Sequence, residues 1–318
     1  MNNNSSNELL HGPRESMEYD VVIAGGGPAG LSAAIRIKQS AARHGCDFSV
    51  AVLEKGAEVG AHILSGAIMD TRALDELLPD WRQMDAPLRQ PVTQEDVLFL
   101  SETGSRATPH WLLPECLRND GNHVVSLGAV CKWLAQEAER LGVDIFPGFA
   151  ATEVLFDAQN RVRGVATGDM GIGKDGQPRA SFQRGMELLG KYTLFAEGAR
   201  GHLGKRLIAH YRLDEGRDPA SWAIGIKELW EVPAKQAQPG LVLHTAGWPS
   251  TEDSFGGGFL YHLEDNMVSL GYVLGLNYTN PWISPFEEMQ RWKLHPAIRA
   301  HIEEIGRASC RERVYACV

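Results

Sequence analysis

The stretch Glu18-Tyr-Asp-Val-Val-Ile-Ala-Gly-Gly-Gly-Pro-Ala-Gly30 constrains the fold more than any other, because an apolar run ends in Gly25, Gly27 and Gly30 and then opens into a helical pattern. That order is the signature of a βαβ unit built to bind a dinucleotide. Gly25 permits a tight turn, Gly27 lets a pyrophosphate approach the backbone, and Gly30 lets the helix lie close to the strand. The anion then sits at the first helical turn, which holds Ala29, where unpaired N–H groups and the helix dipole favour negative charge. Leu31, Ala34 and Ile35 give the helix one apolar face, and Gly45 supplies a stop. A second apolar run, Phe48 to Leu53, reads as the next parallel strand, and it ends at Glu54, where an acid that holds a ribose hydroxyl is expected.

At 318 residues and 43% apolar composition the chain has material for two interlocked domains. Its net charge of −9 and lack of a basic stripe argue against a nucleic-acid partner. No apolar run reaches the roughly 18 to 20 residues that span a bilayer, so membrane contact is expected only at the surface. Residues 1–17 are polar and lack an apolar signal-peptide core, and they read as a disordered tail on a cytoplasmic chain. Cys46, Cys116, Cys131, Cys310 and Cys317 form no C-x-x-C pair, which predicts reduced thiols and no zinc or iron–sulfur ligand set.

A single glycine turn does not separate FAD from NAD. Gly60 to Asp70 is a second segment rich in small residues, and Lys191-Tyr-Thr-Leu-Phe-Ala-Glu-Gly-Ala-Arg-Gly201 is a further strand that runs into a glycine-rich turn. Between them lie a helical pattern over 127–141 and strand-like pieces near 143–146 and 162–166. Two such turns around one crevice suggest a long, two-headed cofactor such as FAD. From Ala223 to Leu276 apolar and polar runs alternate, which predicts antiparallel strands in a second sheet, interrupted by a turn at Gly256, Gly257 and Gly258. Pro109 to Leu117, with Trp111, Leu112 and Leu113, is either a membrane-surface segment or core. His62, His244, His262 and His295 are scattered without metal or triad spacing, so no catalytic side chain and no metal ligand is assigned, and the chemistry is left to the flavin.

Six blocks carry a family resemblance: Gly26 to Ala34, Gly60 to Gly66, Phe195 to Gly198, Gly225 to Trp230, Gly256 to Leu263 and Asn280 to Phe286. From Tyr19 to Glu304 the chain resembles the electron transfer flavoprotein:ubiquinone oxidoreductase family. The resemblance implies an α/β Rossmann-like FAD-binding domain of the glutathione reductase type over 18–222, with an inserted segment at about 82–122 facing membrane and quinone. It implies an α+β second domain, a quinone-binding antiparallel sheet with a following helix, over 223–304. It further implies FAD contacts at Gly25, Gly27, Ala29, Gly30, Glu54, Lys55, Ser65, Gly66, Ala67, Glu197, Gly198 and Arg200, and quinone contacts at Gly256 and Gly257. The family takes electrons from reduced electron transfer flavoprotein and passes them to ubiquinone. It also holds a [4Fe-4S] cluster on four cysteines of a C-terminal domain, a ligand set this sequence lacks. Peripheral attachment to the cytoplasmic face of a bacterial inner membrane is the matching location. Residues 305–318 depart from the pattern and read as a non-native tail. A flavin monooxygenase or a geranylgeranyl reductase shares the paired glycine turns, and a fragment without turnover remains a third reading.

Overall fold

The computed structural model describes residue 10 and residues 12–63, 66–250 and 254–303. In chain order the first elements are β1 (Ser16–Ala24), α1 (Pro28–Arg43), β2 (Val50–Glu54), β3 (Ala67–Met69), α2 (Arg72–Leu77), β4 (Gln90–Pro91), β5 (Gln94–Leu100), β6 (Ser105–Ala107) and β7 (His123–Val125). Next come α3 (Leu127–Arg140), β8 (Val143–Pro147), β9 (Ala151–Phe156), β10 (Val162–Thr167), β11 (Met170–Ile172), β12 (Pro178–Gln183), β13 (Glu187–Phe195) and α4 (His202–Tyr211). The last are β14 (Ala223–Glu231), β15 (Leu241–Gly247), β16 (Gly256–His262), β17 (Met267–Gly275), α5 (Pro285–Leu294) and α6 (Pro296–Arg299). These elements divide into two units, residues 1–62 with 131–217 and residues 63–130 with 218–318.

The first unit is a six-stranded sheet in the order β8-β2-β1-β13-β10-β9. β8, β2, β1 and β13 run parallel, and β10 and β9 add an antiparallel edge. Val50 to Leu53 are all buried, as expected of a parallel strand covered on both faces. α1 starts with Pro28 at its first position, where the missing N–H costs nothing, and buries Leu31, Ala34 and Ile35. The helix stops at Arg43, and Gly45 follows with a φ of 65°. Leu53, Leu188, Val165 and Leu203 are among the buried residues of this unit's core.

The second unit is a six-stranded sheet in the order β14-β17-β16-β15-β5-β6, with a smaller sheet β3-β7-β4. Four of its neighbouring pairs are antiparallel, and β15 pairs with β5 in parallel. One face is apolar: Leu243, Leu260, Leu270 and Tyr272 pack with Met289 and Trp292 of α5. α5 begins with Ser284 accepting the Glu287 N–H at 3.4 Å, places acids in its first turn and bases in its last, and so complements its own dipole.

Three sequence expectations change. The segment at about 82–122 was expected within the first domain, yet β5 is hydrogen-bonded along seven residue pairs to β15, from Gln94↔Leu241 to Leu100↔Gly247. Pairing across so much intervening chain leaves no local trace. Ser16 and Met17, expected in the disordered tail, extend β1 because β13 offers them Glu187 and Leu188 as partners. Gly256, Gly257 and Gly258 are not a turn: they open β16, paired with β15 on one side and β17 on the other. The expected non-native tail, 305–318, lies outside the described residues.

Candidate functional site

In the first unit the chain places β2 on one side of β1 and β13 on the other, so the strand order reverses at β1. Ligands of open α/β sheets bind at the carboxyl ends of the strands at such a point. Both glycine-rich turns lie there. The Ala196 N–H donates to the Ala24 carbonyl at 2.8 Å, and a Cβ on Gly25, whose φ is 117°, would stand 2.3 Å from the Ala196 oxygen. A Cβ on Gly30 would stand 2.0 Å from the Gly25 carbonyl oxygen. Gly25 and Gly30 are therefore fixed by the protein's own packing. Gly27 differs: no atom lies within 4 Å of where its Cβ would be, which is the open approach a pyrophosphate needs at the start of α1, beside exposed Ala29.

Glu54 ends β2, and its carboxylate is already engaged. Oε2 accepts the Gly26 N–H at 3.0 Å and Oε1 accepts the Gly56 N–H at 2.7 Å, which ties the strand end to the glycine turn. Lys55 is exposed beside it. Glu197, expected at the cofactor, turns to α4: its oxygens accept from Leu203 N–H at 3.3 Å and Gly204 N–H at 2.9 Å. That carboxylate caps a helix start, and His202 Nδ1 stands 3.2 Å from it. Gly198, with a φ of 82°, again has no atom within 4 Å of a Cβ position, and Arg200 is exposed. The open glycines and the helix start thus fit a dinucleotide such as FAD. Cys131 is buried, and burial, with the Glu54 charge adding to it, pushes its thiol up to about 11, so it is a packing residue.

In the second unit Gly66 has a φ of 93°, and a Cβ there would stand 2.2 Å from the Ser269 side chain. Its carbonyl accepts from Lys227 Nζ. Ser65, its neighbour, lies outside the described residues. Gly66 and Ala67 line a cavity of about 380 Å³ together with Asn119, His244, Phe259 and Tyr261. His244 stands opposite Phe259 across β15 and β16, and its Nε2 is 2.9 Å from the Tyr261 hydroxyl. Burial lowers the His244 pKa while the Glu95 charge opposes it, and burial raises that of Tyr261. In the sequence His244 reads as a lone histidine. Only the period-2 alternation of β15 and β16, read with their pairing, puts it beside Tyr261.

Gly256 and Gly257 sit at the start of β16 with protein on their Cβ sides: Ser250 Oγ at 2.5 Å from the first position and the Thr245 carbonyl at 2.4 Å from the second. Of the membrane-surface segment, Trp111 is 73% exposed and Leu112 57%, whereas Leu113 is buried at 4%. The core reading thus holds for Leu113 and not for Trp111 and Leu112, because the chain's two short 3₁₀ turns point different residues in and out. Among the described residues no group of three or more His, Cys, Asp or Glu could hold a metal ion, and no helix is long and apolar enough to cross a membrane.

A Rossmann-like sheet with two glycine turns, joined in sequence to a largely antiparallel sheet, is the fold of a class of flavoproteins. Solved structures share it: a geranylgeranyl bacteriochlorophyll reductase-like protein from Thermoplasma acidophilum matches with a TM-score of 0.61 at 17% identity, covering 95% of this chain and 66% of that one. A flavin-dependent brominase matches with a TM-score of 0.60 at 15% identity, covering 94% and 67%. These likenesses show the fold. A model of the NAD(P)-binding Rossmann-like domain matches residues 23–78, and a model of the ubiquinone-binding domain of electron transfer flavoprotein-ubiquinone oxidoreductase matches residues 222–314, running into the segment expected to depart from the family. The chain is 57% identical over 293 residues to a probable electron transfer flavoprotein-ubiquinone oxidoreductase of Acinetobacter baylyi, 91% of this chain and 51% of that protein. It is 53% identical to the Pseudomonas aeruginosa enzyme of that name, covering 91% and 53%, and 50% identical to the mitochondrial one of Bos taurus, covering 91% and 47%. By sequence the chain belongs to the electron transfer flavoprotein-ubiquinone oxidoreductase family, and it spans about half the length of the curated relatives it matches.

Proposed function

We propose that this chain carries the flavin- and quinone-binding units of an electron-transferring-flavoprotein dehydrogenase, which accepts electrons from reduced electron transfer flavoprotein and reduces ubiquinone. The observation that carries the reading is the coincidence of the ubiquinone-binding match, residues 222–314, with the sheet strands β14 to β17. FAD, when bound, supplies the electron carriage. The open Gly27 and the N-terminal turn of α1 with Ala29 receive the pyrophosphate, and Gly25 and Gly30 hold that turn in shape. Glu54 positions the turn through Gly26 and reaches the ribose, and Lys55, Gly198 and Arg200 border the same strand ends. Gly66 and Ala67, with Ser65 beside them, belong to the cofactor contacts of the second unit, and Gly256 and Gly257 offer backbone to the quinone. Glu197 supports the site by fixing α4. The reading assigns these units flavin and quinone.

The protein works in this reading at a membrane surface, the cytoplasmic face of the bacterial inner membrane, with Trp111 and Leu112 as contacts. Trp111→Ser with Leu112→Ser is expected to abolish liposome binding and leave flavin content unchanged; undiminished binding defeats the contact. The function itself is tested by electron flow from reduced electron transfer flavoprotein to a short-chain ubiquinone in the flavin-loaded enzyme, with NAD(P)H as the competing donor. Rapid flavin reduction by NAD(P)H and none by the flavoprotein would move the chain to the monooxygenase or reductase class.

A further inference from the structure

The pairing of β15 with β16 sorts their side chains onto two faces. Leu243 and Leu260 join the core with α5, so His244, Phe259 and Tyr261 point to the other face. Phe259 and Tyr261 stand two residues apart on β16, and their rings stack at 26° with centroids 4.9 Å apart. His244 lies directly opposite Phe259, and its ring meets that of Tyr261 edge-on at 5.5 Å. Three rings on one sheet face thus wall the 380 Å³ cavity, whose lining also includes Gly66 and Ala67. Every lining residue belongs to the second unit. The volume falls within the range of small-molecule sites, about 300–1,000 Å³.

The cavity's Gly66 end is fixed by protein. The Gly66 carbonyl accepts from Lys227 Nζ, and Ser269 stands where a Gly66 side chain would go. Most polar groups of the wall already have partners. Asn119 donates to Glu95 through its N–H at 3.1 Å and through its side-chain amide, and its oxygen accepts from Asn122 at 3.0 Å. The Tyr261 hydroxyl is 2.9 Å from His244 Nε2. His244 Nδ1 is the exception, buried and without a hydrogen-bond partner among the described residues. Burial lowers the His244 pKa against the opposing Glu95 charge, so the imidazole is neutral near pH 7. Nδ1 is then a donor or an acceptor according to tautomer. A flat heteroaromatic ring with both N–H and C=O groups on its rim suits this wall with either tautomer. Its face stacks on the aromatic rings, and its rim completes the bonding of Nδ1.

We propose that this cavity seats the isoalloxazine ring of FAD, with Phe259 and Tyr261 as its stacking wall and His244 Nδ1 as a hydrogen-bond partner of its polar rim. The inference rests on the flavin reading above, which gives Gly66 and Ala67 to the cofactor, and it adds three residues that no glycine motif announces. Gly256 and Gly257, which that reading gives to the quinone, are not among the lining residues, so the ring seat and the quinone contact are different places on the second unit.

The test separates the two ends of the cofactor. ADP carries the adenosine and pyrophosphate without the ring, so its binding reports the first unit alone. In this chain Phe259→Leu and His244→Ala are each expected to weaken FAD about tenfold by titration, the scale of one lost aromatic contact or hydrogen bond, and to leave ADP affinity unchanged. Tyr261→Phe should keep most of the FAD affinity and raise the fluorescence of the bound flavin several-fold, because a phenol beside the ring quenches it by electron donation and a phenyl group does not. Unchanged FAD affinity in Phe259→Leu and His244→Ala, equal weakening of FAD and ADP, or a bound flavin no brighter in Tyr261→Phe overturns the proposal. So does a wild-type chain that holds FAD no more tightly than ADP. If Phe259→Leu or His244→Ala does not fold, His244→Gln and Tyr261→Phe decide by the ratio of FAD to ADP affinity and by the fluorescence. A wild-type chain that binds no FAD sinks the underlying flavin reading instead.

Discussion

In the first unit the glycines at 25, 27 and 30 form a turn between strand and helix, whereas in the second those at 256, 257 and 258 lie inside a strand flanked on both sides. In the turn, two glycines make room for backbone and one makes room for a ligand. In the strand, all three make room for protein: a Cβ on Gly258 would stand 2.2 Å from Trp292, whose ring is fully buried and whose Nε1–H donates to Thr245 Oγ1 at 2.8 Å. At Gly27 the missing side chain leaves access, whereas at Gly256 to Gly258 it makes room for packed protein, leaving Gly256 and Gly257 only their backbone to offer the quinone of the proposed reading. A run of glycines therefore says that something comes close, and only the fold says what.

The largest expected effect is at Gly30. Its Cβ would meet a carbonyl of the turn itself, and backbone cannot swing aside, so Gly30→Ala should cost about 3 kcal/mol or more and lose FAD, read by urea unfolding and flavin absorbance. Gly258→Ala comes next. Trp292 must shift within a packed core, and about 2 to 3 kcal/mol should be lost with FAD affinity at the first unit unchanged. Equal loss of flavin in both variants would break the contrast between the two glycine sets.

The same core offers a pH test. His262 is fully buried, its Nδ1 accepting the Gln238 N–H at 3.1 Å, and burial followed by the His301 charge lowers its pKa from 6.5 to about 4. The unfolded chain takes up a proton near 6.5 and the folded one only near 4, so its contribution is full above 6.5 and is lost as pH falls. Between pH 7 and pH 5 that amounts to about 2 kcal/mol, and His262→Gln should flatten the slope measured by urea midpoints. Gly27→Ala is the smallest in stability, within about 0.5 kcal/mol, because its Cβ meets open space and its φ of −85° suits alanine. FAD affinity should nevertheless fall about tenfold by titration. An unchanged affinity would mean that Gly27 is open for no ligand.

Much of the first unit was legible in the sequence. β1, α1 and β2 are contiguous, and their periodicity, the Pro28 start and the glycine spacing are local signals. The second glycine turn, after β13, was legible as a turn at the same crevice, and the parallel pairing of β13 with β1 sets it against the first. The second unit was legible as strands and illegible as a sheet. β5 and β6 join it from far upstream, and Gly256 to Gly258 read as a turn because glycine in a strand is locally unfavourable and the groups that pack on them, Ser250, the Thr245 carbonyl and Trp292, are placed there by the fold. Glu197 shows the same limit, since its helix-capping role depends on how the chain bends after Gly198.

The sequence by itself determined a dinucleotide-binding turn, a following alternating sheet and the family, because these reside in local period, in glycine's freedom of φ and in contiguous motifs. Tertiary structure decided which glycines face a ligand, that the upstream hairpin completes the second sheet, and that His244 and Tyr261 meet beside a cavity. Those depend on cross-strand register, which pairs residues far apart in the chain and leaves no mark on either one's neighbours.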